Sequence, residues 1–357
     1  MLDFTSVLYL GFRHGSRSVY PWSQLTTGTP TALAEPAVAR HVAGRLAQLQ
    51  GCEQAMVGPS TLHLFWDLFA QLSQQSLSKR PFAIFLDAGA YPIAQWGVER
   101  AEMRGVPLYR FPHQDVQAVT QLVRRVARKY RPLIVSDGLC SSCGCTAPVS
   151  DYLEIVRAHQ GLLVLDDTQA LGLLGFLPDD GVPYGRFGGG TLPHQAISGP
   201  ELIVISSLAK SFGVPLAVLS GSREAVLTFQ DHSETRIHCS PPSIATLHAA
   251  ERALTLNEGQ GERRRYQLAR NVTLFRRLLA EEGFFTTGGL FPVQTLRLPP
   301  GTDIARLYKV LSAGGIRSVL RRGCNGRAAI SFVITVRHRP DDIKQAVEKL
   351  TIAIDAR

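Results

Sequence analysis

Four short apolar runs, each ending in polar side chains, constrain the fold of this chain more than any other feature. They read FAIFLDA (82–88), PLIVSDG (132–138), LLVLDDT (162–168) and LIVISSL (202–208). Their apolar residues are continuous rather than alternating, which is typical of strands covered on both faces. Helical patterns follow the first two runs, over 93–104 and 150–160. The region from about 80 to 222 therefore predicts an α/β fold with a doubly wound, mainly parallel sheet.

The polar ends of these runs predict the position of a binding site. The runs end in Asp87, Asp137, Asp166-Asp167 and Ser206-Ser207. Ligands of open parallel sheets bind at the carboxyl ends of the strands. We therefore expect these polar groups to converge at one edge of the sheet.

The rest of the chain predicts a division into three parts. A long helical pattern covers 243–282, with an interruption near 257–261, and shorter strand and helix patterns follow it up to a closing helix that begins at Pro340. We expect an N-terminal segment (1–45) that wraps across the molecule. A large domain (46–235) and a smaller C-terminal α+β domain (236–357) complete the prediction.

Composition and charge exclude several classes of protein. With 357 residues of which 45% are hydrophobic, the chain can bury a sizeable core. It has neither a signal-peptide pattern nor some 18 consecutive apolar residues, so we expect a cytoplasmic protein without a membrane partner. The net charge of +9 comes from arginine clusters without interleaved aromatic residues. Solvated helix faces explain such clusters better than nucleic-acid binding does, and they leave a preference for anionic small molecules.

The segment SSLAKSFG (206–213) contains a lysine that could act as a nucleophile. Lys210 comes just after a buried strand, where desolvation lowers the pKa of an amine and favours Schiff-base chemistry. Ser207 precedes it by three residues and could bind a phosphate beside it. An ordinary surface lysine after a strand is the alternative.

The segment LLVLDDTQALGLLG (162–175) carries the second chemical signal. Its strand ends in Asp166 and Asp167, which sets a carboxylate deep in a cleft. A pyridoxal phosphate ring needs such a carboxylate, because the acid keeps the ring nitrogen protonated and the ring electron-withdrawing. A helix cap or a Mg²⁺ ligand is the alternative for each of these acids.

Together these two segments, 44 positions apart, resemble the core of fold-type-I pyridoxal-phosphate enzymes of the aminotransferase class I/II superfamily. The resemblance is greatest to the α-oxoamine synthases, of the 8-amino-7-oxononanoate synthase and 2-amino-3-ketobutyrate ligase type. It extends to YLGF (9–12), LQGCEQAMVGPST (49–61) and RAAISFVITVRH (327–338). The cofactor implied is pyridoxal 5'-phosphate. A homodimer with shared active sites is implied as well.

The resemblance implies roles for individual positions. Lys210 matches the lysine that forms the internal aldimine, and Asp166 matches the partner of the pyridinium nitrogen. The other matched positions would also bind the cofactor. Ser60 and Thr61 would bind its phosphate, the Tyr91 ring would stack on its ring, Ser141 would contact it, and Ser240 would reach the phosphate site of the neighbouring subunit.

The chain also departs from the family pattern near the site. Gln169 stands where the family has a histidine that bonds the phenolic oxygen of the cofactor, and an amide cannot carry a proton. Ala329 replaces the arginine that holds the substrate carboxylate. Arg327 could reach that carboxylate from about 7 Å further along the strand, or it could simply face solvent. His14 is a candidate for substrate specificity. His63, in an apolar helical run, is expected to be a satisfied core histidine.

Three functions are compatible with this pattern. The first is an acyltransferase in which an amino acid bound at Lys210 passes through a quinonoid and attacks an acyl thioester such as an acyl-CoA. The second keeps the amino-acid substrate but leads to transamination, or to elimination, replacement or cyclisation at the β- or γ-carbon. The third is a cofactor-binding regulator without turnover, which the presence of both Lys210 and Asp166 argues against.

Three of the six cysteines fall in DGLCSSCGCTAP (137–148). A zinc site needs further ligands, and Cys52, Cys239 and Cys324 have no partner at ligand spacing. We therefore predict no metal site here. Cys140 and Cys143 have the spacing of a redox dithiol, without the setting that would support that reading. The segment aligns with the rim of the cofactor site, where Ser141 keeps a hydroxyl.

Overall fold

A seven-stranded sheet forms the centre of the fold. The computed structural model describes residues 1–74, 80–178, 181–322 and 327–355. Its strands are β1 Leu2–Asp3, β2 Gln54–Gly58, β3 Phe82–Asp87, β4 Leu108–Phe111, β5 Arg131–Asp137, β6 Leu162–Asp166, β7 Leu202–Ser207, β8 Ala217–Gly221, β9 Phe285–Thr287, β10 Val293–Arg297, β11 Ile316–Arg317, β12 Val319–Arg322 and β13 Ala328–Val333.

Helices and strands share the first two thirds of the chain, and the longest helix follows them. They are α1 Ala37–Gln50, α2 Thr61–Gln74, α3 Pro92–Met103, α4 Val116–Val126, α5 Val149–Ala158, α6 Thr191–His194, α7 Arg223–His232, α8 Glu234–His238, α9 Ile244–Glu281, α10 Ile304–Ala313 and α11 Pro340–Asp355. In the described residues no helix combines the length and apolar character that crossing a bilayer requires.

The central sheet has the strand order β2-β8-β7-β6-β5-β3-β4. The four apolar runs form β3, β5, β6 and β7, so the prediction of a mainly parallel α/β sheet is confirmed. The exception is β8, which runs antiparallel to both β2 and β7. The link 208–216 between β7 and β8 is too short for the crossover that a parallel pair needs.

Both faces of this sheet are covered. Along β3, Ala83 and Phe85 pack into one apolar cluster, whereas Ile84 and Leu86 pack into another on the opposite face. Each side chain of the strand therefore has a buried environment, which explains why the run is continuously apolar.

Helix α9 is continuous, which corrects the expected interruption near 257–261. The polar and small residues there pack inward instead of ending the helix. Asn257 donates to the Phe187 carbonyl at 2.8 Å and accepts from the Arg265 guanidinium at 2.8 Å. A Cβ on Gly261 would lie only 2.5 Å from the Asn257 side-chain oxygen. The glycine therefore makes room for a buried hydrogen-bond network.

The C-terminal part contains an antiparallel sheet with the order β12-β13-β10-β9. The N-terminal segment adds β1, which pairs in parallel with β11 in a separate two-stranded sheet. Phe4, Tyr9 and Phe12 are buried in the same apolar cluster as α1 and α9. The domain boundaries at 45 and 235 remain predictions, and α1 spans the first of them.

Candidate active site

The carboxyl ends of β5, β6 and β7 bring three functional positions to one edge of the sheet. Asp137 is opposite Asp166 in the parallel register, and Asp166 is opposite Ile205. Both aspartates are buried. Lys210 follows the end of β7 by three residues and is half-buried. The expected convergence of polar groups is therefore present.

Lys210 and Asp166 influence each other's ionisation. Burial raises the pKa of Asp166, and hydrogen bonds from Thr168 and the charge of Lys210 oppose that rise. Burial lowers the pKa of Lys210, and the Asp166 carboxylate opposes that fall. Within the described part of the chain, the Lys210 amine makes no hydrogen bond or ion pair. Desolvation thus shifts the amine toward its neutral, nucleophilic form.

Asp137 positions the start of helix α3. Its Oδ1 accepts a hydrogen bond of 2.9 Å from the backbone N–H of Tyr91, the residue before the first turn. Burial, and next the charge of Asp166, raise the pKa of Asp137 well above its ordinary value. Tyr91 is 42% exposed, so its side chain is accessible for stacking.

Asp167 differs from its neighbour Asp166 in its contacts. Its two carboxylate oxygens accept hydrogen bonds from the backbone N–H and the hydroxyl of Thr191. Burial raises the pKa of Asp167 to about 7. A Cβ on Gly190 would lie 2.1 Å from the same carboxylate. Asp167 therefore holds the 190–191 turn against the sheet.

Gln169 is oriented by the N-terminal segment. The Tyr9 hydroxyl donates a 2.6 Å hydrogen bond to Gln169 Oε1, and both side chains are buried. Burial raises the pKa of Tyr9 far above its ordinary value, so the hydroxyl keeps its proton at neutral pH. Because the carbonyl oxygen of the amide is engaged, its NH₂ group is left as a donor.

Ser60 and Thr61 lie at the N-terminus of α2, where backbone N–H groups are available to an anion. The Ser60 hydroxyl lies 2.8 Å from Nδ1 of His63. His63 is half-buried and belongs to this helix start, so the expectation of a core histidine is wrong. Of the two aromatic residues that suggested a core position, Phe65 is buried and Trp66 is 42% exposed.

Ser207 stabilises the turn that carries Lys210. Its hydroxyl accepts from the Ala209 N–H at 3.2 Å, and its own N–H donates to the Thr168 hydroxyl at 3.0 Å. Thr168 thereby connects the ends of β6 and β7.

Arg321 is a candidate that the sequence analysis missed. It lies on β12 directly opposite Ala329 of β13, and its Nη1 donates to the Ser141 carbonyl at 2.8 Å. Its Nε and Nη2 are buried without a hydrogen-bond partner. Burial raises the pKa of Tyr9, and the charge of Arg321 opposes that rise. The alternation along VLRR could have indicated an inward-facing arginine, since residues 319 and 321 share one strand face.

The remaining candidates lie at the periphery. Arg327 is exposed just before β13 and lines a cavity of about 640 Å³ together with Ser142 and Cys143. His14 Nε2 lies 2.8 Å from the Phe212 carbonyl, two residues after Lys210. Ser240 is exposed between α8 and α9.

Comparison with known proteins identifies relatives of this chain. The model of the family "Aminotransferase class I and II" matches residues 83–350. The 8-amino-7-oxononanoate synthase of Cupriavidus taiwanensis is 28% identical over 270 residues, which are 73% of this chain and 64% of that protein. The enzyme of the same name from Klebsiella pneumoniae is 27% identical over 98% of this chain and 88% of its own length.

A solved structure shows the same fold. Serine palmitoyltransferase from S. paucimobilis, with a bound PLP–myriocin aldimine, superposes with a TM-score of 0.81 at 16% identity, over 99% of this chain and 87% of that one. The match to the Cupriavidus enzyme spans less than two thirds of that relative. The family model covers most of the chain, including both Asp166 and Lys210. The chain belongs to the aminotransferase class I and II family of pyridoxal-phosphate-dependent transferases.

Proposed function

We propose that this protein is an acyltransferase of the α-oxoamine synthase type, which joins an amino acid to an acyl thioester such as an acyl-CoA. The observation that carries the proposal is the buried Asp166 beside a desolvated Lys210, at the ends of the adjacent strands β6 and β7. Relatives named 8-amino-7-oxononanoate synthase and serine palmitoyltransferase support this reaction class.

The residues fit pyridoxal 5'-phosphate. Asp166, a buried carboxylate, would hold the protonated ring nitrogen, and Lys210 would hold the cofactor through its amine. The start of α2, with Ser60 and Thr61, would receive the phosphate together with Ser207. When bound, the cofactor withdraws electrons from the α-carbon of an amino acid and makes its proton acidic.

Each neighbouring side chain then has a task. Lys210 would take and return the α-proton, since burial favours its neutral form. Gln169, held through its Oε1 by Tyr9, would donate its NH₂ to the phenolic oxygen of the cofactor without exchanging a proton. The Tyr91 ring would stack on the cofactor ring.

Arg321 would bind the substrate carboxylate. The family resemblance expects an arginine at position 329, where this chain has alanine. Arg321 extends from the opposite position of the paired strand, and two of its nitrogens have no hydrogen-bond partner. A buried guanidinium of this kind suits a bidentate carboxylate. Arg327 and His14 lie at the periphery and would contact the rest of the substrate.

A second copy of the chain would complete the site. Ser240 is exposed, which suits a hydroxyl that reaches the phosphate of a neighbouring subunit. We therefore propose a homodimer with shared active sites.

Transamination, or elimination, replacement or cyclisation at the β- or γ-carbon, is the second candidate. The observation that favours it is Gln169, because an amide removes proton transfer at the phenolic oxygen. These reactions need no acyl thioester.

The test is to incubate the holoenzyme with single amino acids in D₂O and follow exchange of the α-proton by NMR, with and without acyl-CoA. We expect exchange with one small group of amino acids, and thioester consumption only in their presence. Lys210→Ala should abolish both, whereas Lys309→Ala, at an exposed lysine of α10, should change neither. Formation of a keto acid or ammonia without thioester consumption would reject acyl transfer in favour of the second candidate.

A further inference from the structure

A histidine and two cysteines from separate loops come together beside the candidate active site. His113 follows β4, and Cys140 and Cys143 follow β5. One ligand atom from each lies within 4.8 Å of the other two. Nε2 of His113 is 3.5 Å from Sγ of Cys143. In a tetrahedral zinc site, neighbouring nitrogen and sulfur ligands are about 3.5–3.8 Å apart. The His113–Cys143 pair therefore has the spacing of zinc ligands, and Cys140 lies close enough to complete the set.

A buried carboxylate orients the histidine. Nδ1 of His113 donates to Oδ1 of Asp87 at 2.8 Å, so that Nε2 faces the two sulfur atoms. Asp87 is fully buried and is itself held by the N–H of Gly89 and the hydroxyl of Ser136. Metal-binding histidines characteristically make this contact, because the carboxylate fixes the ring and increases the basicity of its other nitrogen.

The cysteine loop is also shaped for thiolates. The backbone N–H of Ser142 donates to Sγ of Cys140 at 3.3 Å, and the N–H of Cys145 donates to Sγ of Cys143 at 3.4 Å. Gly144 closes the turn with a φ of +70°, and a Cβ there would lie 2.8 Å from Phe291. Donors aimed at sulfur favour its ionised form, which is the form that binds metal.

The charges of the cluster match a divalent cation. A divalent cation would bind the deprotonated thiols and the neutral imidazole and displace the thiol protons. Two thiolates and a neutral imidazole together balance its charge of +2.

We propose that His113, Cys140 and Cys143 form a zinc-binding site, with a solvent molecule as the fourth ligand. Two thiolates and an imidazole favour zinc over Mg²⁺ or Ca²⁺, which prefer oxygen ligands. This revises the expectation of no metal site, which was reached without His113. The cluster among the described residues contains three protein ligands; Cys324 lies outside the described residues.

The proposed zinc site would be linked to the proposed active site through one hydrogen bond and would take no part in the reaction there. Ser141 lies between the two cysteines, and its carbonyl accepts the hydrogen bond from Arg321. Bound zinc would fix this loop and thereby the position of Arg321. The metal site does not depend on the proposed acyl transfer.

The experiment measures zinc in reduced, untagged holoenzyme by elemental analysis after removal of loosely bound metal. We expect about one zinc per chain in the wild type. Cys143→Ser and His113→Asn should weaken zinc binding at least tenfold, whereas Cys145→Ser, in the same loop, should retain it. X-ray absorption at the zinc edge of the wild type should show two sulfur ligands and one nitrogen, independently of whether the variants fold.

Three results would overturn the proposal. The first is reduced wild-type protein that neither contains zinc nor takes up added Zn²⁺. The second is zinc loss in Cys145→Ser as large as that in Cys143→Ser. The third is a Cys140–Cys143 disulfide whose reduction restores no zinc binding, which would identify the pair as a redox dithiol.

Discussion

The Tyr9 hydroxyl donates a 2.6 Å hydrogen bond to Oε1 of Gln169, joining two residues that are 160 positions apart in the sequence. Both side chains are buried. The N-terminal segment thus decides which end of the Gln169 amide faces the carboxyl ends of the sheet. This contact connects YLGF, a peripheral part of the sequence resemblance, directly to the candidate site.

Tyr9→Phe should therefore lower activity and stability together. The substitution leaves a buried carbonyl oxygen without its donor, which typically costs about 1–3 kcal/mol of unfolding free energy. It also frees the Gln169 amide to rotate, so we expect a changed visible spectrum of the bound cofactor. Urea unfolding and absorbance measure the two effects. Tyr266→Phe, at an exposed tyrosine, is the control. An unchanged spectrum would contradict the proposed role of Gln169.

Substitution by asparagine should have different effects at the neighbouring residues Asp166 and Asp167. Asp166→Asn removes the proposed partner of the cofactor ring, so we expect at least a hundredfold loss of kcat with cofactor still attached to Lys210. Asp167→Asn disturbs the bonds to Thr191 and should cost about 1–3 kcal/mol of stability, with a smaller effect on kcat. Steady-state kinetics and chemical unfolding separate these outcomes. Equal kinetic losses in both variants would argue against the assignment of Asp166.

Asp167 should also make stability depend on pH. Its pKa rises from 3.8 to about 7 on folding, because burial disfavours the charged form. Between these two pH values the folded protein binds more protons than the unfolded chain. The contribution of Asp167 to the free energy of unfolding is therefore greatest below pH 3.8 and is lost as the pH rises through about 7. The contribution is on the order of a few kcal/mol. The difference in unfolding free energy between wild type and Asp167→Asn should change across this range. A constant difference would exclude the raised pKa.

Arg321 and Arg327 should be distinguishable by KM. Arg321→Ala removes the guanidinium with two unpartnered nitrogens, so the KM for the amino acid should rise roughly 10- to 100-fold. Arg321→Lys should recover only part of this loss, because an ammonium lacks the bidentate geometry. Arg327→Ala, at an exposed position, should change KM less. The reverse order would assign the carboxylate to Arg327.

Two glycines of α9, Gly259 and Gly261, provide a matched pair of alanine substitutions that test packing around the helix. A Cβ on Gly259 meets nothing within 4 Å, so Gly259→Ala should stabilise the protein by roughly 0.5–1 kcal/mol through helix propensity. Gly261→Ala would instead press on Asn257 and Arg265 and should destabilise it by about 1–3 kcal/mol. Thermal unfolding of both variants provides the test. Stabilisation by both substitutions would mean that the buried network adapts without cost.

The sequence by itself determined the central architecture and the two main candidate residues. The continuous apolar runs predict strands buried on both faces, which is typical of a mainly parallel sheet covered by helices on both sides. Asp166 and Lys210 follow two of these runs, so their location at the carboxyl edge is a consequence of local sequence.

Tertiary structure decided which side chains meet across long separations. No local pattern indicates that Tyr9 contacts Gln169, that Arg321 is opposite Ala329, or that His113 approaches Cys143. It also decided that Asp166 and Asp167 have different partners and that Asn257 and Gly261 belong to an unbroken helix. The physical reason is that strand burial and helix capping depend on neighbouring residues, whereas these contacts depend on packing that forms only when distant segments assemble.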